Sequence, residues 1–155
     1  MPKLEWSHLN HLQIGRYAEY YAKMELTSYG FHIFTSEVDD HGIDFVMKNS
    51  KGQYYEVQVK AARINKSSYV FASKSKFNID NDFLLLALIL LEEGKSPSMY
   101  LIPAKEWKNE NEIFKNRKYE GKKSEPEWGL NISKKNIPLL EDFRIEKQGE
   151  ILYYT

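Results

Sequence analysis

Gly42-Ile43-Asp44-Phe45-Val46-Met47-Lys48, then Asn49-Ser50-Lys51-Gly52-Gln53, then Tyr54-Tyr55-Glu56-Val57-Gln58-Val59-Lys60 is the stretch from which the rest of the chain can be read. Ile43, Phe45 and Met47 alternate with Asp44, Val46 and Lys48. Tyr55, Val57 and Val59 alternate with Tyr54, Glu56, Gln58 and Lys60. A period of two with one apolar face predicts a β-strand in each case. Ser50-Lys51-Gly52 predicts a three-residue hairpin loop, with Gly52 at the position that needs a left-handed backbone. Asn49 then faces Gln53, Phe45 faces Val57, and Ile43 faces Val59. Asp44 falls directly opposite Gln58, with Lys60 further along the same face. A slip of one residue would set Asp44 against Val57 and mix the two faces, so the pattern fixes the register.

Upstream, Ile14, Ala18, Tyr21, Ala22 and Tyr29 form one apolar stripe and predict a helix over residues 10–29. Gly30 suits the residue just past its end, because it adopts positive φ without penalty. Phe31 to Ser36 reads as a short strand. Downstream, Tyr69 to Ala72 and Met99 to Ile102 read as strands. Phe83 to Leu91 is a continuous apolar run, the pattern of a strand covered on both faces. It is far shorter than the roughly 18 residues a membrane helix requires. Pro103 to Trp107 suggests a short helix or turn. Residues 118–127, polar with Gly121 and Pro126, read as a loop. Trp128, Leu130 and Ile132 alternate like a strand, Leu139 to Phe143 suits a helix, and Ile151 to Tyr154 suits a last strand. These elements make an α/β domain, a central mixed β-sheet flanked by α-helices.

Length and composition set limits on this reading. The 155 residues fit one domain, with a core over about 10–107 and a C-terminal extension over 108–155. There is no cysteine, which excludes disulfides and thiolate metal sites and suits a reducing cytoplasm. Met1 to Trp6 lacks the basic and apolar regions of a signal peptide, so a cytoplasmic protein without a membrane partner is expected. Lys and Arg number 22 and so do Asp and Glu, for a net charge of zero. That argues against binding nucleic acid through a bulk field alone. It leaves room for a local basic groove: Lys60, Arg63, Lys66, Lys74 and Lys76 follow one another without an intervening acid. Lys115, Arg117, Lys118, Lys122 and Lys123 form a second cluster. Each is equally compatible with a solvated face.

The chemistry lies in Asp44, Gln58 and Lys60. A carboxylate facing a side-chain carbonyl on the next strand can hold a hard divalent cation, and the Val59 carbonyl between them can add an oxygen. An ammonium beside such a cation can orient a water or stabilise a phosphorane-like transition state. His8, His11, His32 and His41 show no ligand spacing, although His41 lies close to Asp44 in sequence. Glu37, Asp39 and Asp40 are either a loop or a second metal contact. Tyr17, Tyr54 and Tyr69 are candidates for stacking on bases. No phosphate-binding Gly-rich loop, dinucleotide fingerprint or serine elbow is present.

With these residues the sequence resembles the PD-(D/E)XK nuclease superfamily. The resemblance rests on Gly42-Ile43-Asp44-Phe45, the hairpin, and Glu56-Val57-Gln58-Val59-Lys60, preceded by Gly15-Arg16-Tyr17-Ala18-Glu19. It is nearest to the Holliday-junction-resolvase-like and restriction-endonuclease-like members and covers residues 15–107. It implies a restriction-endonuclease-like fold and a Mg²⁺- or Mn²⁺-dependent nuclease acting on nucleic acid, with DNA expected. It implies that Asp44, Gln58, the Val59 carbonyl and Glu19 hold the metal and that Lys60 positions the attacking water. Arg63, Lys66, Lys74 and Lys76 would grip phosphates. Resolvase-like members often pair, which adds a homodimer to the expectation. Glu19 also has ordinary helix ion pairing open to it, with Arg16 and Lys23 at i−3 and i+4. Gln58 stands where the pattern usually has Asp or Glu, and the loss of a charge weakens metal binding. The alternative is a catalytically inactive nuclease-fold module that binds nucleic acid or a protein partner.

Overall fold

The computed structural model of the chain describes residues 3–37 and 42–155; Asp39, Asp40 and His41 lie outside the described residues. The first helix starts where Asn10 can cap it. The Asn10 side chain accepts from the Gln13 N–H, and the Gln13 side chain accepts from the Asn10 N–H, each at 2.9 Å. This reciprocal box opens helix α1 (His11–Ser28). Gly30, at φ +110°, ends it and donates its N–H to the Thr27 carbonyl. Ile14, Ala18, Ala22 and Leu26 are the buried stripe. Its two alanines allow the helix axis to lie close to the sheet.

The strands follow as β1 (His32–Phe34), β2 (Phe45–Lys48), β3 (Tyr54–Arg63), β4 (Tyr69–Ser73), β5 (Leu84–Leu91), β6 (Ser98–Pro103), β7 (Phe114–Arg117) and β8 (Glu127–Asn131). The main sheet has the order β1-β2-β3-β5-β6, with β3 and β5 parallel and the other pairs antiparallel. Residues of β4 leave it for a second sheet of order β4-β8-β7. Because β5 lies between two cores, its whole length is buried. Leu85, Ala87, Ile89 and Leu91 join α1, Met47, Val57 and Leu101 on one side. Leu84, Leu86, Leu88 and Leu90 join Val70, Phe77, Trp107, Phe114 and Leu130 of the second sheet and its connections on the other. Truncating any of these leucines to alanine costs about 2–5 kcal/mol. The uninterrupted apolar run expected of a doubly covered strand is therefore present.

The C-terminal residues differ from the sequence reading. Ile151 to Tyr154 are not a strand but the end of helix α2 (Ile145–Tyr154). Aromatic and β-branched residues favour strands only where an edge is free to receive them. Here Ile145 and Leu152 pack helically into the first core. Gly149 gives the Tyr29 ring its place, since a Cβ there would meet that ring at 2.9 Å. The hairpin turn holds the end of α2: Asn49 Nδ2 donates to the Leu152 carbonyl and Ser50 Oγ to the Tyr153 carbonyl. In the second sheet β7, read from sequence only as a basic cluster, pairs with β8. Tyr69 packs against Gly129 and donates its hydroxyl to Glu127 Oε2 at 2.6 Å. Among the described residues no helix is long and apolar enough to cross a membrane.

Candidate active site

The β2–β3 hairpin keeps the expected register from Lys48–Tyr54 to Phe45–Val57. Asn49 donates to the Gln53 carbonyl and Gly52 sits at φ +85°, as the three-residue loop requires. At Asp44 the ladder changes. Its N–H donates to the Val57 carbonyl at 2.9 Å, so Asp44 and Phe45 both lie against Val57. Two residues opposing one is the arrangement of a β-bulge. The Asp44 carboxylate accepts the Val59 N–H through Oδ2 at 2.6 Å. In an unbroken ladder the Ile43 carbonyl would take that amide. Alternation is thereby reset, and Ile43 packs against the second core instead of beside Val59 in the first. The expected Asp44–Gln58 pairing is replaced by a carboxylate anchored to the next residue of β3.

Gln58 is 7% exposed, and its Oε1 has no hydrogen-bond partner among the described residues. A buried acceptor left unpaired costs about 1–3 kcal/mol. Val59 has its N–H turned toward Asp44, and an extended residue sends its C=O the same way. Asp44, Gln58 and the Val59 carbonyl offer oxygen donors only, the donor type that Mg²⁺ and Mn²⁺ prefer. No three His, Asp or Glu side chains cluster among the described residues. The set therefore carries one carboxylate and two neutral oxygens.

Lys60 is half-buried beside this set. Burial pushes its ammonium below the usual lysine pKa, Asp44 pulls it back up, and Lys76 pushes it down again. Lys76 reaches the site from the short 3-10 turn Lys74–Lys76 after β4. Gly42, at φ +78°, lets the chain pass there: a Cβ would lie 3.0 Å from Lys76 Cβ and 3.4 Å from Gln58 Nε2. Sequence reasoning used Gly42 only as part of a motif. Its structural requirement comes from the Lys76 segment, which local periodicity does not reveal.

The remaining candidates separate. Glu19 sits on α1, which packs on the Val57 face of the sheet, whereas Gln58 and Lys60 alternate to the other. Its carboxylate pairs with Arg16 at 3.8 Å and Lys23 at 3.5 Å. Arg63 Nη1 donates to the Leu9 and Trp6 carbonyls at 2.9 and 3.3 Å and so ties down the N-terminal segment. Lys74 donates to Asn116 Oδ1 and lies 4.2 Å from the centroid of the Trp128 ring. Lys66 is exposed and, with His11, Lys60 and Ser67, lines a cleft of about 370 Å³. Of the four expected phosphate-binding residues, Lys66 and Lys76 are thus the two with exposed side chains near Lys60. Tyr17 packs on Trp6, Tyr54 lies beside Phe34 on the surface, and Tyr69 is bound to Glu127.

A mixed sheet with helices on one face, a small second sheet on the other, and a bulged hairpin carrying Asp44 and Gln-x-Lys define a restriction-endonuclease-like fold. In structure the chain is similar to a bacterial homing endonuclease, I-Ssp6803I, with 19% identity, 92% of each chain covered and a TM-score of 0.57. Hjc, a Holliday junction resolvase of the archaeal hyperthermophile Archaeoglobus fulgidus, matches with 14% identity over 81% of this chain and 88% of that one, at a TM-score of 0.46. No protein-family model matches the chain, and no curated protein matches its sequence.

Proposed function

We propose that the chain is a divalent-metal-dependent nuclease that hydrolyses phosphodiester bonds of nucleic acid, with DNA the expected substrate. The observation that supports this reading is the Asp44 carboxylate accepting the Val59 N–H, between Gln58, whose Oε1 is unpaired among the described residues, and Lys60. Asp44, Gln58 and the Val59 carbonyl would hold Mg²⁺ or Mn²⁺, which supplies charge neutralisation and a more acidic bound water. Lys60 Nζ donates to the attacking water or to a non-bridging phosphate oxygen, where its charge offsets the one that develops. Its lowered pKa also eases passing a proton to the leaving oxygen. Lys66 and Lys76 bind flanking phosphates. Glu19, held by Arg16 and Lys23 on the α1 side of the sheet, is left out of this set.

Calorimetric titration of Mg²⁺ and Mn²⁺ tests the site. Binding is expected in the wild type and lost in Asp44→Ala. Branched, single-stranded and double-stranded DNA should be cleaved by the wild type, but not by Asp44→Ala or Lys60→Ala. Cleavage that survives in both purified variants overturns the assignment. The neutral Gln58, standing where an acid is usual, favours one competing reading, a binding module of the same fold without catalysis. Gln58→Glu separates the two: it raises activity in a nuclease with a weakened metal site and does nothing in a module.

A further inference from the structure

Glu56 stands two residues before Gln58 on the same face of β3 and opens into a groove of about 600 Å³. Ile43, Phe77 and Leu84 give this groove apolar walls, and Asn78 and Asn81 give it polar ones. Lys76 lines it too and also lies against Gly42 beside Gln58, so this residue borders both groove and site. The two ends of the β3 face differ in charge. Toward Lys60 lies the cleft with Lys66 and His11, which suits a phosphate backbone. Toward Glu56 lies an exposed carboxylate, which repels phosphate. A carboxylate so close to a phosphate-handling site can accept from the donors on a base.

Glu56 has little else to do. Its partner among the described residues is Asn81 Nδ2 at 3.4 Å, the long limit for such a bond. The side-chain oxygens of Asn78 and Asn81 are taken by the Asp80 and Phe83 N–H groups. Both side chains are left with their NH₂ groups, which are donors. One acceptor-only group beside two donors selects among bases. Guanine alone among the DNA bases sets two donors, N1–H and N2–H, side by side, with O6 as an adjoining acceptor. Thymine flanks one donor with two carbonyls, and adenine and cytosine place one amino group next to an acceptor nitrogen.

Resting on the nuclease reading above, we infer that this groove holds an unpaired guanine of the strand whose phosphate occupies the Asp44–Gln58–Lys60 site. Glu56 accepts from N1–H and N2–H, and Asn78 donates to O6. The base must be unpaired, because pairing hides that edge.

The test is fluorescence anisotropy, without divalent metal, on short oligothymidylates carrying a single guanine, adenine or cytosine. One guanine should tighten binding to the wild type by about tenfold or more over the all-thymine strand. Glu56→Ala should remove that preference and leave the all-thymine affinity unchanged, which also shows that the variant is folded. Glu56→Gln should shift preference toward adenine, since an amide presents one donor and one acceptor. Equal binding of all strands by the wild type, a guanine preference that survives Glu56→Ala, or no binding at all overturns the inference. The same strands with Mg²⁺ separate it from the nuclease reading. Base-blind cleavage sinks the guanine subsite alone, and guanine-dependent binding without cleavage sinks the nuclease alone.

Discussion

Replacing Gln58 by methionine should make the metal-free protein more stable and the metal-loaded protein less so. Gln58 is 7% exposed and its Oε1 is unpaired among the described residues, so folding strips that oxygen of water and returns nothing. Such an atom costs about 1–3 kcal/mol. Methionine has a similar length and an adaptable shape, and it removes the orphan without leaving a cavity. Allowing for lost contacts of the amide nitrogen, the net gain is about 1–2 kcal/mol. At about 2–4 °C per kcal/mol for a chain of this size, Tm should rise by roughly 2–8 °C. Metal reverses the order. At a hundredfold excess over Kd, a ligand stabilises the wild type by about 2.7 kcal/mol, and a variant that has lost the oxygen gains much less. Calorimetric melts in chelator and over a Mg²⁺ series read both arms. A variant that melts below the wild type in chelator refutes the claim that Oε1 is unsatisfied. Equal stabilisation of both proteins by metal refutes its role as a ligand.

Asp44→Asn and Asp44→Ala should both lose metal binding, yet differ in stability. Asparagine still accepts the Val59 N–H, whereas alanine strands it, and urea unfolding should rank the alanine variant lower by about 1–2 kcal/mol. Lys60 has a folded pKa below its ordinary 10.5, chiefly through burial. Between the two values the unfolded chain binds more protons, so the Lys60 contribution raises stability as pH climbs through that window. Subtracting Lys60→Met curves from wild type should show this slope, and a slope of opposite sign would refute the assignment. Gly129→Ala puts a methyl carbon 1.8 Å from the Tyr69 hydroxyl oxygen and should cost about 1–3 kcal/mol. Expelled from its partly buried place beside Glu127, Tyr69 should titrate nearer 10 than its present value of about 12, as phenolate absorbance would record.

What a neighbour in sequence decides was legible; what a distant partner decides was not. The Asn49–Gln53 closure, the Gly52 turn and the Phe45–Val57 pairing follow from alternation and one glycine, and all are present. The α1 stripe and the doubly covered β5 follow from periodicity in the same way. Ile43 shows the limit. Its alternation continues in sequence through Asp44, but the bulge turns it to the opposite core. Tyr69 to Ser73 looks like any strand, and only the pairing with β8 assigns it to another sheet. Ile151 to Tyr154 has strand-like composition and is helical because the hairpin turn and α1 receive it as a helix. In the candidate site, Asp44, Gln58 and Lys60 were readable because they share one hairpin. The commitments of Arg63 to Trp6 and Leu9 and of Lys74 to Asn116 depend on contacts that no spacing announces.

The tether between the Asn49–Ser50 turn and the last turn of α2 has a consequence for synthesis. Asn49 and Ser50 emerge from the ribosome long before the Leu152 and Tyr153 carbonyls that they hold. Until residue 152 has been added, the first core lacks part of its α2 cover, and until β8 exists the second lacks Leu130. The nascent chain thus carries the exposed leucines of β5 through much of its translation. Pairings between residues so far apart in sequence slow folding, so the load on chaperones should fall on the unfinished chain more than on the finished one.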